Sequence, residues 1–381
     1  MSKAGKIVIA AAFAALIFVP GVLWVVGWQS DEIENRALAE RPDISGPQDL
    51  VEEETYAQTS EFLVDHMPLR EEAVNSYSRV NMELFDESPN PDVILGDDDW
   101  LFLQETLDNI CDPPVEPWEM ATRMNRLSAV IAGSGRDVVL TIAPDKNAVY
   151  GDMLGDEEAD TYECADANRA ELIDYLDQVA PPGYVDAYGY MRNLREEWDD
   201  EVYYSHDTHW TTRATAEFVG DIIDGLDEGL WDPDAITTRE EGHEGDLTRM
   251  IGIPWDIDTQ RTFVDRPDVA TPGLEGDDRM RPDGEGTIDT EHPDDVEVLP
   301  GRTLIIFDSF FDNAIGMISP YTEETTFVRW GNFDEESFAE LVAEHDNIII
   351  EAAERDAYQK YGMEMGSDEY IDALVNTLGS E

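Results

Sequence analysis

The sequence predicts an α/β protein: a doubly wound, mainly parallel sheet with helices on both faces, preceded by one N-terminal transmembrane helix. Three observations carry this. From Trp118 onward, short apolar runs alternate with amphipathic helical periods, the pattern of strand–helix units. The run Thr303-Leu304-Ile305-Ile306-Phe307, bounded by Pro300-Gly301, reads as a buried parallel strand. Residues 7–30 contain no charge, and residues 7–28 are almost wholly apolar.

As a helix, the 24 residues from 7 to 30 reach about 36 Å, enough to cross a hydrocarbon core of ~30 Å. Lys3 and Lys6 precede the segment, and Asp31, Glu32 and Glu34 follow it, which places the N-terminus in the cytoplasm and the remaining chain outside. A cleaved signal peptide is the competing reading. No small-x-small site follows, however, and bulky Trp24 and Trp28 occupy that region. Pro20-Gly21 is a tolerated kink site in a membrane helix. Residues 1–30 are therefore read as a cytoplasmic tip and signal anchor. Residues 31–90 follow as a polar, proline-containing stalk and a membrane-proximal helical segment, with apolar spacing at Phe62, Leu63, Tyr77, Val80 and Leu84.

Residues 91–360 form the expected globular domain. Met120, Met124, Leu127, Val130 and Ile131 mark an amphipathic helix closed by Gly133 and Gly135. Val138 to Ile142 reads as a strand, Leu172, Ile173, Leu176 and Val179 as a helix, and Tyr184-Val185 as a strand start. Phe218, Val219, Ile222, Ile223 and Leu226 form a helix face directly after His209. The strand before Ser309 is followed by a helix through Ile315 and Ile318. A strand at Thr326-Phe327-Val328, a helix at Phe338, Leu341 and Val342, and a strand at Ile348-Ile349-Ile350 complete the pattern. Residues 256–300, rich in Asp, Glu, Pro and Gly, interrupt it and read as a mobile, solvated insertion over or beside a site. Residues 361–381 read as a C-terminal helix.

The chain carries 87 acidic and 24 basic residues, a formal net charge of −63, and its only lysines are Lys3, Lys6, Lys146 and Lys360. The acids are spread between ordinary apolar runs, and 42% of residues are hydrophobic, so this is not a disordered acidic tail. Self-repulsion at this charge opposes a compact state at low ionic strength but is screened at molar salt, where the Debye length is roughly 3 Å. The composition is that of a halophile, of the haloarchaeal type. Nucleic acid is excluded as a partner because phosphate binding needs a basic footprint.

Cys111 and Cys164 both fall in the exterior part, where a pair can form a disulfide; two free thiols are the alternative. Neither has zinc-site spacing. No cofactor is implied, and His206 with His209 and one carboxylate fit no metal-binding helix.

Two segments concentrate the chemistry. Asp207-Thr208-His209-Trp210 offers an imidazole and a carboxylate to orient it, and Asp308-Ser309-Phe310 puts an alcohol at the C-terminal end of a buried strand. Together they read as a Ser-His-Asp acyl-transfer site. Ser309 is the nucleophile, His209 the general base and later acid, and Asp207 the group that holds the imidazole's tautomer. Taken singly, Asp308 or Ser309 reads as a helix N-cap, and Asp207 as a cap of the helix after it. Trp210 is a wall of the site or a core residue. Lys146 and Asn147 end a neighbouring strand at the same sheet edge, where they bind substrate or cap the next element.

These blocks resemble the SGNH-hydrolase-like domain of the AlgX/AlgJ family of polysaccharide O-acetyltransferases and the related DHHW proteins. Further similarity runs through Glu34-Asn35-Arg36-Ala37-Leu38, Asp65-His66-Met67-Pro68-Leu69-Arg70, the GDDDWLF stretch over residues 96–102, Ala143-Pro144-Asp145-Lys146-Asn147-Ala148-Val149-Tyr150, and Gly245-Asp246-Leu247. Phe307 stands where SGNH signatures often have glycine, and the separate glycine and asparagine oxyanion blocks are not located. The Ser309 N–H can supply one oxyanion donor at a helix N-terminus. Arg329 and Asn313 are the side-chain candidates for the second.

The resemblance implies an SGNH-like fold and a membrane-anchored extracellular O-acetyltransferase working through an acetyl-serine on a polysaccharide acceptor. The acyl group would come from a membrane-bound O-acyltransferase partner, and residues 7–28 would hold the lipid bilayer. The alternatives are a carbohydrate esterase, with water resolving the acyl-enzyme, and a non-catalytic carbohydrate-binding scaffold of a polysaccharide secretion complex.

Overall fold

The computed structural model describes residues 2–30, 38–42, 44, 46, 53–155, 158–253, 255–272, 274 and 284–379. Asp31, Glu32, the segment from Glu34 to Ala37, much of the stalk at 31–50, and positions 273 and 275–283 of the acidic stretch lie outside the described residues. The chain divides into two compact units, residues 1–95 with 244–256, and residues 96–243 with 257–381.

In the first unit a helix spans Lys3–Val25 with Pro20 inside it and no buried residue. Its apolar window has a mean hydropathy of 2.5, so length and composition suit it to cross a membrane. Helices Glu53–Asp65 and Arg70–Phe85 follow. The residues around Gly245-Asp246-Leu247 group with this unit rather than with the domain the sequence assigns them to. Ser78 Oγ donates to the Ile251 carbonyl at 2.6 Å, and Asn90 Nδ2 to that of Met250 at 3.0 Å. These bonds join positions about 160–170 apart, which no local pattern reveals.

The second unit is built on a six-stranded sheet. In chain order its strands are β1 (Asp137–Ala143), β2 (Tyr184–Val185), β3 (Glu285–Asp289), β4 (Leu299–Phe307), β5 (Thr322–Arg329) and β6 (Asn347–Ala353). The spatial order is β2-β1-β6-β4-β5-β3. All neighbours are parallel except the edge pair β3–β5. Ile348 sits between Val138 and Leu304 in register. Every residue of β6 is buried, and consecutive strand residues point to opposite faces, so both faces of the sheet are covered.

The covering helices follow the apolar periods. Pro117–Gly133 buries Met120, Met124, Leu127 and Ile131 and packs on Ala159–Val179. Thr212–Leu226 packs on Asp312–Ile318, and Glu335–Ala343 on Asp368–Leu378 near the C-terminus. Cys111 and Cys164 form a disulfide with a Cα–Cα distance of 5.4 Å.

Two further expectations change. Pro300-Gly301 does not bound the strand: β4 starts at Leu299 and runs through a bulge, where Gly301 takes φ +83°. The stretch 256–300 is not simply an insertion either. Asp256–Val264 pairs with Ile236–Glu244 in a two-stranded ribbon, and β3 adds an antiparallel edge to the main sheet. The frequent Asp and Gly hid both strands, because an edge strand needs only one partner and little apolar alternation.

Candidate active site

β4 delivers Ser309 to the C-terminal edge of the sheet. Asp308 closes the strand and caps a short turn over Ser309–Phe311, its Oδ1 accepting from the Phe310 N–H at 3.0 Å. Its Oδ2 accepts from the Ala353 N–H and from Lys360 Nζ, each at 2.7 Å. Burial raises the Asp308 pKa, but the Lys360 charge and these donors outweigh it, and the group sits below the ordinary carboxylate range. The residue before the serine is thereby tied to the end of β6 and to the helical stretch beyond it.

Asp207 and His209 come from a tight turn. Tyr203 bridges Trp210 across it, and the Thr211 N–H donates to the Val202 carbonyl at 2.7 Å. The cap of the following helix is Thr211, whose side chain accepts from the Ala214 N–H, so Asp207 is not used there. Asp207 Oδ1 instead accepts from the His209 backbone N–H at 2.9 Å and faces His209 Nδ1 at 2.7 Å. His209 Nε2 lies 2.9 Å from Ser309 Oγ. The Asp207 side chain is 6% exposed and that of His209 24%. Burial pushes the Asp207 pKa up, but His209, and then a second imidazole from His243 at 2.9 Å on Oδ2, hold it well below the ordinary range. An ionised carboxylate is what keeps the proton of a neutral imidazole on Nδ1, leaving Nε2 to accept from the alcohol.

Trp210 is fully buried and donates from Nε1 to the Phe310 carbonyl at 3.1 Å. Its ring meets that of Phe310 edge-on at 5.3 Å, and the Phe310 ring lies 4.9 Å from that of His209. Trp210 therefore locks the histidine turn to the serine turn from the core side.

Lys146 and Asn147 both point into the core. Lys146 is 3% exposed, and its Nζ donates to the carbonyls of Tyr204, Ser205 and Asp207 at 3.1, 3.0 and 2.7 Å. Three carbonyls around one ammonium suit the compact, three-donor head of lysine better than a planar guanidinium. Asn147 is fully buried between Thr106 Oγ1 at 2.5 Å and Arg169 Nη2 at 2.6 Å. Both residues buttress the site from inside and spend their polar atoms there. Arg329 is ion-paired with Asp312 and stacks on Phe307. Asn313 is half-buried on the first turn of the helix after the serine.

A buried ionic layer lies beneath these turns. Arg169 pairs with Glu354 at 2.5 Å, both within the core, and Arg355 pairs with Asp145 at 2.5 Å. Burial, opposed by Arg355, lifts the Asp145 pKa to about 7. Glu351, fully buried on β6, accepts from the Asp308 N–H at 3.0 Å. Burial and the adjacent Asp308 charge raise its pKa well above the ordinary value, which favours the protonated form. The folded state then holds a proton that the unfolded chain releases. The associated stability is complete below the unfolded value and falls as pH rises towards the folded one. Glu351→Gln keeps the acceptor and cannot titrate. It is expected to stay within about 1 kcal/mol of the wild type near the ordinary carboxylate range, and to remove that part of the decline in melting temperature as pH rises above that range.

The sequence reading missed His243, Lys360 and Glu351. His243 stands two residues before the quoted Gly245-Asp246-Leu247 step, and Lys360 is one of two lysines beyond the membrane segment, so both carried a signal. Glu351 carried none.

A mainly parallel, doubly wound sheet with a serine, a histidine and an aspartate hydrogen-bonded in line at its C-terminal edge defines the α/β class to which SGNH hydrolase-like domains belong. Residues 93–272 match the family model described as "SGNH hydrolase-like domain, acetyltransferase AlgX", a span that includes Asp207, His209 and His243 and ends before Ser309. The chain is 23% identical over 200 residues to the probable alginate O-acetylase AlgJ of Pseudomonas syringae pv. tomato, covering 50% of this chain and 48% of that protein. It is 26% identical over 199 residues to the corresponding Pseudomonas putida protein, covering 49% and 48%. The chain thus spans about half the length of the curated relatives it matches. Among solved structures, the O-acetyltransferase domain of P. putida AlgJ aligns with a TM-score of 0.46 at 16% identity, covering 75% of this chain and 99% of that domain. A DHHW family protein from Eubacterium siraeum aligns at 0.48 and 14% identity, covering 73% and 93%. Over these residues the chain is similar to the AlgX/AlgJ SGNH hydrolase-like domains.

Proposed function

We propose that the protein is a membrane-anchored extracytoplasmic O-acetyltransferase acting on a secreted or cell-surface polysaccharide through an acetyl-serine intermediate. One observation carries this reading: Ser309 Oγ, His209 and Asp207 form a continuous line of contacts at 2.9 and 2.7 Å at the C-terminal edge of the sheet. In the first half-reaction His209 Nε2 takes the Ser309 proton as Oγ attacks the acyl carbonyl, and the donor's leaving group departs with that proton. In the second, His209 takes a proton from a sugar hydroxyl, whose oxygen attacks the acetyl carbon, and returns that proton to Ser309 Oγ as the acetyl–Oγ bond breaks. The matched relatives bear the name alginate O-acetylase, which supports a polysaccharide as acceptor. A membrane-bound O-acyltransferase is the proposed donor, because the space outside a cell offers no acetyl-CoA.

Acetyl-serine trapping tests the reading. Incubation with an activated acetyl ester at high salt should add one acetyl group to the peptide containing Ser309, and a sugar acceptor should then discharge it as an O-acetyl sugar. Release of free acetate alone would point to an esterase, and no label at Ser309 would leave a non-catalytic scaffold. The proposed topology is tested separately. Protease added outside intact cells should cut beyond Ser30 while the first six residues stay protected; recovery of the whole chain from the cytoplasm would remove the polysaccharide reading.

A further inference from the structure

Asp207 is shared between two imidazoles. Its Oδ1 faces His209 Nδ1 at 2.7 Å, and its Oδ2 faces His243 Nε2 at 2.9 Å. We propose that His243 is a positioning residue for acyl transfer: by holding the second oxygen of Asp207 it fixes the carboxylate plane, and with it the orientation of the His209 ring towards Ser309. The proposal rests on the acyl-transfer reading of Ser309, His209 and Asp207.

The geometry shows why a second donor matters. The backbone N–H and Nδ1 of His209 both meet Oδ1 of Asp207. The side-chain torsion of an aspartate carboxylate is broad and soft, so contacts to one oxygen leave the group free to swing about that point. A donor on Oδ2 from a different element removes this freedom. His243 is such a donor: it lies on the strand Ile236–Glu244, apart from the turn that carries Asp207 and His209. Its ring is itself held, stacked on Tyr204 with centroids 4.1 Å apart and planes at 22°. Tyr204 is fixed in turn by the Thr212 N–H, which donates to its hydroxyl at 3.3 Å. Lys146 holds the same turn through the carbonyls of Tyr204 and Asp207. Backbone and carboxylate of Asp207 are thus each anchored from outside the turn. Partners that orient a functional group in this way hold the geometry on which its chemistry depends.

The test uses the full-length protein at molar salt with 4-nitrophenyl acetate as acyl donor. The nitrophenolate burst gives the acylation rate constant and its dependence on donor concentration, and mass spectrometry locates the acetyl group. His243→Ala is expected to slow acylation of Ser309 by about 10- to 100-fold, the usual scale for such partners. The half-saturating donor concentration should stay within about twofold, because the lost interaction acts on the step and not on donor binding. His243→Gln places an amide N–H near the position of Nε2 and should recover most of the rate. His243→Asn, whose amide is too short to reach Oδ2, should not. The Gln–Asn comparison decides the matter if the alanine variant fails to fold. Equal rates in Gln and Asn variants with native circular dichroism, or a wild-type rate in a folded alanine variant, would overturn the proposal. A wild type that never acetylates Ser309 would instead sink the acyl-transfer reading, and the role of His243 with it.

Discussion

Ser309→Ala is expected to abolish acyl-enzyme formation, with a loss of about 10⁴- to 10⁶-fold, while the protein keeps its fold. Ser309 has side-chain contact with His209 but sits at the end of a strand whose core residues are untouched by the change. His209→Ala should cost a comparable factor, because the alcohol is a poor nucleophile without a base and members of such a unit are not additive. Asp207→Asn should be severe but less complete. It removes the charge that favours imidazolium and lets the amide present its N–H to Nδ1, selecting the wrong tautomer. All three should show native circular dichroism. A folded Ser309→Ala protein that still transfers acetyl to sugar would show that the nucleophile is another residue.

Removing salt is expected to unfold the protein. The net charge is −63, and surface ion pairs such as Arg126–Asp368 and Arg213–Asp200 contribute little each. Between molar and about 10 mM salt the Debye length grows from about 3 Å to about 30 Å, so carboxylates screened from one another at high salt come to repel across the whole domain. Several kcal/mol of repulsion corresponds to a fall in melting temperature of more than about 10 °C, at about 2–4 °C per kcal/mol for a domain of this size. A far-UV spectrum and melting temperature unchanged between the two conditions would refute the halophilic reading.

Much of the fold was legible because the chain repeats one local decision. Each buried strand of this sheet is an apolar run, and each helix that covers it carries one apolar stripe, so periodicity alone separates them. Ile348-Ile349-Ile350 reads as a strand for that reason and proves to be the centre of β6. The same logic marks Ser309, since a serine after such a run stands at the sheet edge. The strand order was not legible: β6, last in the chain, lies between β1 and β4, and nothing in an apolar run names its neighbours. β3 was missed because an edge strand with one covered side can be mostly polar.

At the site, the sequence by itself determined the residue types that meet: an alcohol, an imidazole and a carboxylate, in two short blocks about a hundred residues apart. Only the tertiary structure decided what supports them. It turned Lys146 and Asn147 inward as buttresses, tied Asp308 to Lys360, and gave Asp207 its second imidazole in His243. The physical reason is the range of the information. Chemistry and local periodicity are carried by neighbouring residues. Which buried donor meets which acceptor is fixed only when distant segments pack together and each polar group must find a partner inside the core.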